Sequence, residues 1–150
     1  MNKKRFFLSW LLSSLVMFGL SYVWHGVFLN DFERLNYPKE IFLTGSVITY
    51  LILGFLVTQI YLMKFPKAIA RKPLTRGIIS GVLLGIATYV VALVIGVSFS
   101  TTLTTEYILF DLLWQAVEQM AGGITVAFVY ISIYEGNPVE VISRKMFGGD

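Results

Sequence analysis

"GIISGVLLGIATYVVALVIGVSF", residues 77–99, runs for 23 positions without an Asp, Glu, Lys or Arg. An α-helix rises ~1.5 Å per residue, so about 20 apolar residues span the ~30 Å hydrocarbon core of a bilayer. The run shows no strict alternation of apolar and polar positions and is too long for a barrel strand, which leaves a membrane-spanning helix. Gly77, Gly81 and Gly85 recur at every fourth position, and Thr88 and Gly96 continue roughly the same stripe. In lipid, burial of apolar surface gives no net drive for helices to associate, whereas a flat small-residue groove lets backbones pack closely.

Working outward, three further runs have the same character, at roughly 6–29, 41–63 and 107–134. The first follows "MNKKR" and is too long for the apolar stretch of a signal peptide. No small-residue cleavage motif follows it, so it reads as a retained helix. Of the 150 residues 56% are hydrophobic and 14% charged, with mean hydropathy +0.73. A soluble domain carries about 25% charged residues, so this chain lacks the charge to cover a water-facing surface. One integral membrane domain, 1–150, is expected.

The net charge is +3, but the basic residues sit at helix ends and form no aromatic-interleaved patch, so nucleic acid is not an expected partner. With no Cys and one His, the chain offers no disulfide, thiolate site or multi-histidine metal site. No metal or cofactor is expected. Lys3, Lys4 and Arg5, the 64–76 loop, and Arg144 with Lys145 hold ten of the twelve basic residues, against Arg34 and Lys39 on the other side. Positive charge favours the cytoplasmic face, which predicts a bacterial inner-membrane protein with both termini in the cytoplasm.

The connections carry their own signals. Pro38 in "NYPKE" can open the second helix. "FPKAIARKP", 65–73, reads as a short basic hairpin lying on anionic headgroups. "SFSTTLTTE", 98–106, is a polar turn with Thr104 or Thr105 available to cap the fourth helix. After Gly136, "NPVEVISRKMF" reads either as a short interfacial helix or as a frayed tail. Trp10, Trp24 and Trp114 lie near run ends, as in an ordinary aromatic belt.

The fourth run contains an anomaly, "DLLWQAVEQMAGG", residues 111–123. Asp111, Gln115, Glu118 and Gly122 are spaced four, three and four apart and share a helical stripe, bordered by Trp114. Counted from Tyr107, Glu118 lies about 16 Å deep, near the midplane, and Asp111 about 6 Å deep. An ionised group at that depth costs about 2.5 kcal/mol or more unless it is protonated or paired, so the stripe should face the bundle interior. In the first run Ser14, Phe18, Ser21 and His25 repeat the same spacing. Matching depths pair His25 with Asp111, Ser21 with Gln115, and Ser14 or Phe18 with Glu118. The two stripes predict a polar cavity between the first and fourth helices. His25, Ser21, Asp111, Trp114, Gln115 and Glu118 are its candidate ligand or proton residues. Gly77, Gly81, Gly85, Gly122 and Gly123 are the candidate packing residues, serving either a dimer interface or contacts within the bundle.

"YVWHGVFLNDF", 22–32, and "DLLWQAVEQMAGGITVAFVY", 111–130, resemble small four-helix bacterial membrane proteins grouped as domains of unknown function. The likeness spans nearly the whole chain through short motifs: an aromatic-plus-His pattern closing helix one, and an Asp, an aromatic and a glycine pair in the last helix. Where some relatives carry an acidic residue after the His, this chain has Gly26. The resemblance implies the fold and no chemistry.

The sequence thus predicts an all-α bundle of four transmembrane helices. Its expected role is non-enzymatic, with an intramembrane cavity binding a small ligand, a lipid or a proton. One alternative is an accessory or assembly subunit that meets a homodimer mate or a larger membrane complex through glycine-lined faces. A further alternative is a small membrane enzyme using His25 with Asp111 or Glu118.

Overall fold

The computed structural model describes residues 3–33, 38–99 and 105–132. Helix α1 spans Lys3–Val23 and continues as a π-helical turn, Trp24–Phe28, and a 3-10 turn, Asp31–Glu33. Helix α2 spans Lys39–Leu62, the short α3 spans Lys67–Ala70, α4 spans Pro73–Phe99 and α5 spans Thr105–Ser132. Four segments are long and apolar enough to cross a membrane: Lys3–Phe28, Lys39–Leu62, Pro73–Ile95 and Ile108–Ser132. The chain is a multi-pass membrane protein of four-helix-bundle type. The suggested interfacial helix after Gly136 lies outside the described residues.

Proline sets the starts of these helices. Pro38 precedes α2 and its carbonyl accepts from the Ile41 N–H at 3.1 Å. Pro66 likewise precedes α3, and Pro73 is the first residue of α4, where a missing N–H is harmless. Outer faces stay apolar, as lipid requires: Leu15 is 65% exposed, Val94 63% and Leu113 65%. The interior core is made by Met17 of α1, Leu53, Val57 and Tyr61 of α2, Leu84 of α4, and Val126 and Ala127 of α5.

Helix α1 packs along α2 and α5, α5 packs most extensively along α4, and α2 meets α4 and α5 over shorter stretches. Glycine explains the closest of these contacts. A methyl group at Gly77 would strike the Gly123 carbonyl, and one at Gly123 would strike the Gly77 carbonyl. One at Gly81 would fall on the Gln119 carbonyl, and one at Gly85 would lie 2.9 Å from the Gln115 carbonyl oxygen. The stripe seen in residues 77–85 therefore seals α4 against α5 within one chain. Gly122 is filled from the other side by the Met17 side chain.

The α1–α2 contact is built the same way around Gly54, where a methyl would collide with Ser14 and approach the Trp10 carbonyl to 2.9 Å. The Trp10 indole N–H donates to the Leu51 carbonyl at 2.6 Å. Trp10 thus serves as a tie between two helices and not only as a belt residue, because an indole donor held in a dry interior needs an acceptor. Three buried hydroxyls are satisfied locally: Ser14 donates to the Trp10 carbonyl, Thr58 to that of Gly54 and Ser80 to that of Arg76, each four residues back. At the end of the bundle that holds α3, the Arg76 guanidinium donates to the Met63 carbonyl at 2.7 Å. It also lies over the rings of Tyr61 and Phe65, 4.8 and 5.3 Å from their centroids. That arginine ties the start of α4 to the end of α2.

Candidate functional site

Glu118 and Gln119 are both fully buried, at 0% exposure, in the middle of α5. Adjacent helix positions point about 100° apart, so the two side chains leave the helix in different directions. Gln119 follows the α4 side, where its Cβ would stand 3.2 Å from a methyl added at Gly85. The Glu118 carboxylate instead has Ser21 of α1, Tyr50 of α2 and Trp114 of α5 around it, with Asp111 within electrostatic reach. Three helices therefore supply its surroundings.

These donors surround the carboxylate without closing on it. Neither Glu118 oxygen completes a hydrogen bond of good geometry, and neither does the Trp114 indole N–H or the Gln119 amide. Buried polar groups in folded proteins are almost always satisfied, and each exception calls for a reason. Above the carboxylate, the Trp114 ring stacks on Trp24 from the π-helical turn, with centroids 4.1 Å apart and planes 12° from parallel. Such a platform presents a π-face that attracts cations.

Two openings flank this centre. Toward α2 lies a small cavity of about 10 Å³, lined by Ser21, His25, Phe32, Phe42, Ser46 and Tyr50 among others. It has room for about one water. Ser21 and Tyr50 belong to both this cavity and the surroundings of Glu118. On the other flank a cleft of about 620 Å³ opens between α2, α4 and α5, with Asp111 and Gln115 among its lining residues. A further groove of about 390 Å³ between α1 and α2 has only Ser14 and Tyr50 as polar lining.

The structure gathers Ser21, Trp114, Asp111 and Glu118, while His25 lines the small cavity and Gln115 the large cleft. The pairing of α1 with α5 is offset by almost one turn from the sequence expectation. Ser21 stands beside Glu118, and Met17 fills the space at Gly122. Identical four-three-four spacings fix which faces meet but not how far one helix slides along the other.

Tyr50 is the residue that sequence reasoning missed. It lies 11 residues after Lys39 in α2, about 16 Å along the helix axis. That depth is too great for a headgroup-level belt residue, and this was the available signal. Among the described residues no three His, Asp or Glu side chains converge as a metal site. No family model, curated protein or solved structure matches the chain.

Proposed function

We propose that this is a non-enzymatic bacterial inner-membrane protein whose polar centre, Glu118 with Ser21, Tyr50, Trp114 and Asp111, binds a small ligand or a proton within the bilayer. One observation carries the reading: a carboxyl fully buried in the middle of α5, faced by Ser21, Tyr50 and Trp114 from three helices, with a second carboxyl, Asp111, within electrostatic reach. The small cavity at Ser21, His25 and Tyr50 gives a water-sized step toward the carboxylate from the α1–α2 side.

The accessory-subunit alternative would have to use other glycines than the α4 stripe: Gly19 and Gly45 meet nothing within 4 Å and stay open. Gly77, Gly81 and Gly85 all abut α5, and Gly122 abuts Met17.

Infrared titration of the protein in lipid tests the site. We expect a carboxyl C=O band that changes with pH and disappears in Glu118→Gln while the fold is kept. If no titrating band depends on Glu118, the polar centre is structural. Both termini and the 64–76 loop are placed in the cytoplasm on the strength of ten of twelve basic residues. In this Cys-free chain, Leu35→Cys or Thr102→Cys should react with an impermeant thiol reagent added outside, and Ala70→Cys should not. Reversed labelling would invert the topology.

A further inference from the structure

The Glu118 carboxyl is fully buried, and none of the three openings described above has it in its lining. What reaches it is a pair of hydroxyls. Tyr50 lies within hydrogen-bonding distance of both Ser21 and Glu118, and Ser21 and Tyr50 also line the small cavity. Cavity and carboxyl therefore share a wall of two O–H groups, each able to donate and to accept.

The small cavity belongs to one end of the bundle. His25 lines it from the turn that closes α1, and Phe32 and Phe42 line it from the connection and the start of α2. Its volume of about 10 Å³ holds about one water. Ser21, His25, Ser46 and Tyr50 offer such a water polar partners. Toward the α3 end the surroundings are dry. Met17 fills the space at Gly122, one helical turn beyond Glu118, and Met17, Val57 and Val126 are all fully buried. The hydroxyls of Ser14 and Thr58 on that side donate to backbone carbonyls of their own helices.

A passage one water wide that ends in hydroxyls has no room for an organic ligand or a hydrated metal ion. It suits a proton, which moves along hydrogen bonds without open volume. We propose that Glu118 exchanges its proton with one side of the membrane only, the side of the α1–α2 connection, through Tyr50, Ser21 and one water beside His25. The balance closes at every oxygen. As the carboxylate is protonated, Tyr50 gives its hydroxyl proton to Glu118 and takes one from Ser21. Ser21 takes one from the water, and the water is restored from outside with the imidazole as shuttle. The other groups around the carboxyl are Asp111 and Trp114 of α5. Helix α4 carries Arg76 near its start and Tyr89, whose hydroxyl donates to the Ile108 carbonyl at 2.6 Å. This inference rests on the reading of the Glu118 centre as a binding site and names the proton as what it takes.

The test follows the Glu118 carboxyl band by time-resolved infrared spectroscopy, with the full chain in proteoliposomes sorted to one orientation. A pH jump on the α1–α2 side should shift the band, and the same jump on the α3 side should leave it unchanged until the gradient decays. Tyr50→Phe should keep the fold and the band but slow the response at least tenfold. Ser46→Leu, which fills the cavity from α2 with Tyr50 in place, should slow it to a similar extent. A band that follows the α3 side, or both sides alike, would overturn the inference, and so would a folded Tyr50→Phe protein that responds at the wild-type rate. In those cases the titrating band still keeps the polar centre as a site. If no titrating band depends on Glu118 under any condition, the reading of the centre itself fails and the inference with it.

Discussion

Helix α4 has two neighbouring contacts of opposite kind. Against α5 it presents Gly77, Gly81 and Gly85, and the backbones come so close that a single methyl group would collide with a carbonyl. Against α2 it is tied at the Arg76 end and elsewhere presents Ala87, Val91 and Ile95, which leave a cleft of about 620 Å³. The same helix is sealed on one side and open on the other. The difference lies in side-chain volume: where Cβ atoms are missing, dispersion and Cα–H contacts replace lipid, and where β-branched residues project, lipid or a ligand must fill the gap.

The sealed contact should be the most sensitive to substitution. Gly81→Leu places a side chain against the Gln119 carbonyl and the Met120 Cα, with little room to relax in a close-packed interior. We expect destabilisation at the upper end of the ~1–3 kcal/mol typical of overpacking, read as a fall in the thermal midpoint in detergent. Leu83→Ile, at a position 52% exposed, should leave the midpoint nearly unchanged. Equal stability of the two variants would show that the glycine stripe faces lipid.

Glu118 lies away from both contacts, among Ser21, Tyr50 and Trp114, and its replacement should act in the other direction. Glu118→Leu removes a fully buried carboxyl, so a gain of about 1 kcal/mol is expected, since apolar replacements of buried charged groups are often neutral or stabilising. The same variant should lose the titrating infrared band. A loss of about 1–3 kcal/mol would instead mark the carboxyl as a hydrogen-bonded structural group.

The open contact should be the most tolerant. Ala92→Trp adds bulk to a cleft already open to the exterior, so its effect on the thermal midpoint should stay within about 0.5 kcal/mol. A large destabilisation would mean that α2 and α4 close on each other in the membrane and that the cleft is not standing space.

Much of this was legible from residues 77–99 alone, because a charge-free run of that length admits one kind of structure. The glycine spacing announced a close contact but not its partner, since small residues at every fourth position suit a second chain as well as a neighbouring helix. The polar stripes of α1 and α5 were readable as facing one another. Their offset was not, because helical periodicity specifies rotation about an axis and is silent about translation along it. Tyr50 was hidden for a different reason. A tyrosine in an apolar run is ordinary, and only its depth sets it apart. The contribution of α2 to the site, and the cleft on its far side, depend on how four helices assemble and leave no signature in any one of them.

The turn at Trp24–Phe28 sets a boundary of another sort. It closes the first membrane span, Lys3–Phe28. At that point the helix widens, with the Leu29 N–H reaching back five residues to the Trp24 carbonyl at 2.9 Å. A π-helical turn leaves one backbone carbonyl outside the regular ladder, a defect that acyl chains cannot satisfy. Because Trp24 in this turn stacks on Trp114, one helical turn before Glu118, the widened turn brings a spare backbone acceptor to the depth of the polar centre, where protein or water has to answer it.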